Sequence, residues 1–316
     1  MRGKILVAVK NRHISFKLEL ERNVTIITGD SGTGKTKLIN MVRAYSAEGK
    51  SSGVMLKCER PCVVLDGINW QNTLSSIKES VVFVEESTKF LPTYEFAKAI
   101  QNTDNYYVFI TREPLPQISY SVDSIKRIVK KGKNPKIEKI YNKIGVNDIT
   151  KKKYDVIIVE DAKTGFQFFS KVGEKWNMTC VSANGKSNIL NMLVGQKAST
   201  ILVVADAAAL GAEIHEMMQY ISESEAHIDL FLPESFEWLI LKSAIFASHT
   251  KAREILANPI DYIESEEYFS WENYFTQLLV DESKEIPKLK YPKNKSKLPS
   301  GYLTDANIDS IINAMK

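Results

Sequence analysis

Eight residues restrict this chain more than any others: Gly29-Asp30-Ser31-Gly32-Thr33-Gly34-Lys35-Thr36 satisfies every fixed position of the pattern G-x-x-x-x-G-K-[ST]. Before them runs Val24-Thr25-Ile26-Ile27-Thr28, an apolar stretch of strand length, and after them Lys37-Leu38-Ile39-Asn40-Met41-Val42-Arg43 repeats its apolar residues at helical spacing. The sequence therefore predicts a strand, a glycine-rich turn and a helix in immediate succession. In such a turn the glycines let successive N–H groups point inward, and the helix N-terminus adds its partial positive charge, so the concavity suits a phosphate. All eight residues, 29–36, are candidate nucleotide ligands. Lys35 would reach the β- and γ-phosphates and Thr36 would hold Mg²⁺.

The surrounding sequence supports an α/β fold with a mainly parallel sheet. Lys4-Ile5-Leu6-Val7-Ala8-Val9 and Ile14-Ser15-Phe16-Lys17-Leu18-Glu19-Leu20 alternate as two strands of a hairpin or edge sheet. Ser80-Val81-Val82-Phe83-Val84 is a buried strand ending in Glu85-Glu86, where proteins with such a loop place the acid that orients Mg²⁺ and its water. Glu85 stands where Asp is usual, and its extra methylene carries the carboxylate about 1.5 Å further out. Glu85 is the candidate metal ligand and Glu86 the candidate group to polarise the attacking water. Tyr106-Tyr107-Val108-Phe109-Ile110 is a further strand, closed by Thr111-Arg112, a candidate γ-phosphate sensor.

From Ser124 to Lys153 the composition changes, with eleven Lys or Arg residues, Gly132, Pro135 and one weakly amphipathic stretch from Ile137 to Ile144. A domain boundary is expected here, giving a nucleotide-binding domain over 1–128, a basic linker over 129–153 and a second domain over 154–316. The second domain starts with the apolar strand Tyr154-Asp155-Val156-Ile157-Ile158-Val159, closed by Glu160-Asp161. A helix through Phe168-Phe169, a strand at Thr179-Cys180-Val181, a turn at Asn184-Gly185-Lys186 and the strand Thr200-Ile201-Leu202-Val203-Val204-Ala205 before Asp206 complete a β-α-β-α-β pattern. Such alternation implies a parallel sheet, whose strand ends gather Glu160, Asp161 and Asp206 on one rim. The remainder reads as helical, with Lys284 to Lys297, six lysines and two prolines, as an extended basic arm before a last short helix.

Three cysteines make no disulfide framework, and Cys58-x-x-x-Cys62 has no second pair for a zinc site. His13, His215, His227 and His249 lack ligand or triad spacing. No apolar run approaches the roughly 18–20 residues that span a bilayer, and no leader pattern opens the chain, so no membrane partner and a cytoplasmic location are expected. The net charge is only +4, but the basic residues are clustered, which admits nucleic acid as a partner.

Taken together, the two halves resemble a P-loop ATPase of the ABC/SMC-like kind fused to a Toprim-like domain, as in the overcoming-lysogenization-defect nucleases. The chain is also similar, over most of its length, to ATP-binding proteins of Gram-positive bacteria. The first half carries the resemblance through residues 29–36 and the strand ending at Glu85-Glu86, without a Leu-Ser-Gly-Gly-Gln signature and with a short span between the two motifs. The second half matches a Toprim pattern of a glutamate after the first strand (Glu160), a glycine turn after the second (Asn184-Gly185-Lys186) and an aspartate after the third (Asp206). Ala208 stands where the pattern has its second aspartate. The resemblance implies ATP and Mg²⁺ as cofactors, with Glu160 and Asp206 as metal-binding catalytic residues of a nuclease; with the second aspartate absent, Asp161 or Glu213 is the candidate source of one more oxygen. P-loop proteins without the signature often need a dimer or a partner to complete their sites, so a homodimer or a partner protein is admitted. The expectation is an ATPase coupled to metal-dependent phosphodiester cleavage. The alternative is an ATP-binding regulatory protein whose Toprim-like half has lost catalysis and binds a partner. The absence of an Asn-Lys-x-Asp motif favours adenine over guanine.

Overall fold

A computed structural model describes residues 2–131, 134–141, 152–264 and 266–315. The chain is mixed α/β with mainly parallel sheets, and it divides into two compact units, residues 1–142 with 260–270, and residues 143–259 with 271–316.

In the first unit, β1 (Ile5–Lys10) and β2 (Ser15–Leu20) pair antiparallel, Ile5 facing Leu20, and β4 (Met55–Lys57) adds to β1. Alternation of buried and exposed residues along β2 is the mark of a sheet with one face on the core. A second sheet has six strands in the order β5-β6-β7-β3-β8-β9. These are β3 (Val24–Thr28), β5 (Cys62–Val64), β6 (Val81–Glu85), β7 (Tyr106–Ile110), β8 (Ile125–Lys131) and β9 (Asn134–Lys139). All neighbours are parallel except β9, which runs antiparallel to β8. Every residue of β7 is buried and so are four of the five in β3 and β6, because a parallel sheet is covered on both faces. Each such Val, Ile or Phe contributes about 1.5–3 kcal/mol relative to exposure. Helix α1 (Lys35–Glu48) presses Leu38, Ile39 and Val42 into one core with Phe16, Ile27, Val81 and Val108. The short helices α2 (Trp70–Ser76) and α3 (Tyr94–Ile100) complete this unit, α3 capped by the Thr93 hydroxyl on the N–H of Phe96.

The expected linker over 129–153 does not begin as one. Residues to 139 are the paired strands β8 and β9, with β9 at the sheet edge, in register Ile128 with Ile137. Ile128 and Ile137 pack into the core while Arg127, Lys130, Lys136 and Lys139 are exposed and Lys126 is buried, so the basic composition belongs to a strand pair with one face on the core. Residues 142–151 lie outside the described residues. Residues 260–270 return to the first unit, where the Gly3 N–H donates to the Ile260 carbonyl at 2.9 Å.

The second unit holds a four-stranded, all-parallel sheet in the order β11-β10-β12-β13. The elements alternate as β10 (Val156–Val159), α4 (Thr164–Trp176), β11 (Thr179–Ser182), α5 (Ile189–Val194), β12 (Thr200–Val204), α6 (Ile214–Glu223) and β13 (His227–Phe231). From β10 the chain moves outward to β11 and from β12 outward to β13, so the strand order reverses between β10 and β12. A crevice opens at such a reversal, outside the carboxyl ends of the strands. Helices α7 (Phe236–Lys242), α8 (Thr250–Ala257), α9 (Trp271–Glu282) and α10 (Asp305–Asn313) follow. Residues 284–297 are not a free basic arm, since Tyr291 is buried and Lys295 reaches two carboxylates within the unit. Among the described residues no helix is long and apolar enough to cross a membrane.

Candidate functional site

In the first unit the carboxyl ends of β3, β6 and β7 meet around one cavity of about 380 Å³, lined by Asp30 to Lys37, Glu85, Glu86, Ile110 and Arg112. The turn requires its glycines. Gly34 has φ 114°, and a Cβ there would stand 3.3 Å from the Phe16 ring. The Thr33 hydroxyl donates to the Asp30 carbonyl at 2.9 Å, and the Lys35 amine donates to the carbonyls of Gly29 and, at 2.9 Å, Asp30. Helix α1 begins at Lys35 without a side-chain cap, so the N–H groups of its first turn have no intrahelical acceptor and its positive end is directed at the loop. Burial, and then the nearby Arg112 guanidinium, lower the Lys35 amine from its ordinary value.

The acids after β6 divide. Glu86 Oε2 accepts the Arg112 N–H at 3.0 Å, while the Arg112 guanidinium donates to the Ser31 hydroxyl at 3.0 Å, so a polar belt joins the β6 and β7 ends to the loop. Glu85 lines the same cavity and also a neighbouring one of about 580 Å³ beside Arg43, Trp70 and Phe90. Thr111 is buried, gives its hydroxyl to the Glu113 carbonyl at 3.1 Å and does not line this cavity, so of the expected pair only Arg112 lies in its wall. Thr36, Glu85 and Glu86 offer oxygen donors alone, the set that a hard cation such as Mg²⁺ takes.

In the second unit a cavity of about 360 Å³ occupies the crevice between β10 and β12, and its polar wall contains Glu160, Asp161, Asp206, Glu237, Glu272 and Lys295. Glu160 and Asp206 are brought together as the strand pattern requires: the Asp206 N–H donates to Glu160 Oε2 at 2.9 Å. Asp206 Oδ1 in turn accepts the Phe236 N–H at 3.1 Å, at the start of α7. Burial pushes Glu160 up to about 7. Burial, then the charges of Glu272 and Glu160, hold Asp206 well above the usual carboxylate range.

Asp161 faces the cavity, but both its oxygens are engaged by the turn it closes, Oδ1 by the Lys163 N–H and Oδ2 by the Gly165 N–H, each at 2.6 Å. It fixes the start of α4. Glu213 lies outside the cavity wall and pairs with Lys186 at 3.4 Å, so neither residue is the extra ligand expected. Lys186, in the glycine turn after β11, also donates to the Ala209 carbonyl at 2.8 Å, and the Gly185 N–H donates to the Glu160 carbonyl at 2.8 Å, so that turn braces the two acid-bearing loops.

Three site residues escaped the sequence reading. Glu237 sits in α7 at 1% exposure; Oε1 accepts from the Tyr291 hydroxyl at 2.7 Å and from Lys295 at 3.2 Å, whereas Oε2 is buried with no hydrogen-bond partner. Glu272 opens α9, and Lys295 pairs with it at 2.7 Å. Burial alone would lower the Lys295 amine, but Glu237, Glu272 and Asp206 together raise it. An acid inside the apolar run Phe236 to Leu241 was the one legible signal. Glu272 reads as an ordinary first-turn acid, and Lys295 is one lysine among six.

Among the described residues no three or more His, Cys, Asp or Glu side chains are already grouped so as to hold a metal ion. The donor chemistry nonetheless suits a hard cation, because the cavity wall carries five carboxyls beside Lys295 and one of their oxygens, Glu237 Oε2, is buried without a partner. No protein-family model matches the sequence, and no curated protein matches it.

Proposed function

We propose that the chain is an ATP-binding P-loop ATPase whose second unit is a Toprim-like, divalent-cation-dependent nuclease acting on a phosphodiester of nucleic acid. The observation that carries this reading is that each unit gathers polar groups at the carboxyl ends of its parallel strands, the glycine loop with Lys35, Glu85, Glu86 and Arg112 in one and five carboxyls with Lys295 in the other.

In the first unit the loop amides and Lys35 would hold the β- and γ-phosphates, and Thr36 with Glu85 would hold Mg²⁺. Glu86 would take the proton from a water attacking the γ-phosphorus as the bond to the β–γ bridging oxygen breaks, and Arg112 would meet the charge on the departing phosphate. In the second unit Glu160 and Asp206 would hold a divalent cation, with Glu237 as a further donor. Such a cation, when bound, stabilises charge on a phosphoryl oxygen and lowers the pKa of water. The other residues orient this set: the Asp206 N–H fixes Glu160, α7 fixes Asp206, and Asp161 fixes α4.

A second reading has its own support. Ala208 in place of an acid, and Lys295 already paired with two of the carboxylates, favour a regulatory protein whose second unit binds a partner. Two assays follow, the first testing the nucleotide site that both readings share and the second separating them. Lys35→Ala should weaken binding of a fluorescent ATP analogue at least about tenfold, a loss of about 1.4 kcal/mol. Asp206→Ala should abolish Mn²⁺-dependent cleavage of single-stranded DNA, double-stranded DNA or RNA with ATP binding intact. Wild-type protein that cleaves none of the three with Mg²⁺ or Mn²⁺, in the presence or absence of ATP, would leave only the regulatory reading.

A further inference from the structure

Two-cation phosphodiester chemistry needs carboxylates that serve two ions about 3.5–4 Å apart. The cavity between β10 and β12 departs from that requirement in two independent ways. On the β12 side only Asp206 contributes an acid, since Ala207, Ala208 and Ala209 follow it and all three are buried. On the opposite side two acids are present, but their Oε1 atoms are already engaged by a positive charge: Lys295 stands 2.7 Å from Glu272 Oε1 and 3.2 Å from Glu237 Oε1.

Lys295 is not a surface lysine that has drifted onto a neighbour. Its side chain is only 22% exposed, and the segment that carries it is fastened on both sides. Before it, the Tyr291 hydroxyl donates to Glu237 Oε1, lies 2.8 Å from the Thr164 hydroxyl, and the Tyr291 N–H donates to the Ser283 hydroxyl at 2.9 Å. After it, the Leu298 N–H donates to Gln167 Oε1 at 2.9 Å on α4. A buried ammonium held by two carboxylates is the usual means of keeping several acids in one cavity. The oxygens on its far side remain: Glu160 and Asp206 at the strand ends, and the buried, unpartnered Oε2 of Glu237.

We propose that this cavity takes a single divalent cation, on Glu160, Asp206 and Glu237 Oε2, and that Lys295 is a tethered cation standing in the place of a second ion. This rests on the Toprim-like reading of the second unit and narrows it. The count of ions follows from charge and donor number. Five carboxyls line the cavity; both oxygens of Asp161 are taken by backbone N–H groups, Lys295 answers Glu237 and Glu272, and the remaining oxygens suffice for one ion with water completing its shell.

The test counts ions rather than turnover. Mn²⁺ is titrated into the full chain without nucleotide, and bound ion is followed by the loss of the free-Mn²⁺ electron paramagnetic resonance signal and by calorimetry. Asp206→Asn serves as the reference that removes the site. The expected result is one Asp206-dependent Mn²⁺ per chain in the wild type, two in Lys295→Met and one in Lys295→Arg, which keeps the charge. Two ions in the wild type, or one in a folded Lys295→Met protein, would overturn the role given to Lys295 and leave the Toprim-like reading standing. No Asp206-dependent ion in either protein would overturn both. If Lys295→Met fails to fold, the wild-type count decides alone, supported by one ion and overturned by none or two.

Discussion

Glu160 shows how burial makes stability depend on pH through one carboxyl. Its ordinary value is 4.5, and burial in the crevice brings it to about 7. Between those two values the unfolded chain has lost the proton that the folded chain still holds, so the unfolded state binds fewer protons and stability falls as pH rises. The loss begins near 4.5, is complete above about 7, and amounts to up to about 3 kcal/mol for that shift. Asp206 is displaced in the same direction and adds to the effect. Glu160→Gln keeps an oxygen that can accept the Asp206 N–H and removes the charge. Urea denaturation at pH 8 should therefore find Glu160→Gln more stable than wild type, with the gap closing toward pH 5. A gap that is absent at pH 8, or that grows on acidification, would mean that the carboxyl is not held protonated. Cation affinity should move the other way in the wild type, strengthening as pH passes 7, because a metal replaces the proton.

At the scale of the element, helix α7 connects the fold to the cavity. Ser235, fully buried, is its N-cap and accepts the Trp238 N–H at 3.1 Å, while Phe236 ties the same turn to Asp206 and Glu237 projects into the acid cluster. Ser235→Ala should cost about 1–2 kcal/mol, read as a lower urea midpoint. It should also weaken Mn²⁺ binding, since the turn that sets Glu237 and Asp206 loses its anchor; a change in stability without one in Mn²⁺ affinity would detach α7 from the site. The elements also explain which parts of the molecule were legible. The loop 29–36 announces itself because its chemistry needs glycines at fixed intervals beside a strand and a helix. Strands β6, β7, β10 and β12 announce themselves because burial on both faces demands unbroken apolar runs. Strands β8 and β9 do not, since a pair that mixes many Lys and Arg with a few Ile and Val resembles a basic linker. Glu237, Glu272 and Lys295 were hidden for a different reason. They come from three distant segments, and only the packing of α7, α9 and the chain after Ser283 makes them neighbours.

The division of the whole molecule into two units, each with its own sheet, core and candidate ligand, makes a prediction about cooperativity. The units are not successive pieces of chain, because 260–270 belongs with the first and 271–316 with the second. Excision at 142 would therefore remove part of the first unit, including the Gly3–Ile260 hydrogen bond and the Arg2–Glu264 ion pair at 3.5 Å. The intact chain is the proper object for measurement. A ligand that binds only the native form of one unit stabilises that unit by RT ln(1 + [L]/Kd), about 2.7 kcal/mol at a hundredfold excess over Kd. For a unit of this size that corresponds to roughly 5–10 °C. Scanning calorimetry of the full chain should resolve two transitions. A non-hydrolysable ATP analogue with Mg²⁺ should raise one of them and Mn²⁺ alone the other. Lys35→Ala should cancel the first shift alone and Asp206→Asn the second alone, because Lys35 lies in the loop of one core and Asp206 at the strand end of the other. A single transition that both ligands move together would mean that the two cores unfold as one, and that occupancy of either cavity is felt at the other through their shared stability.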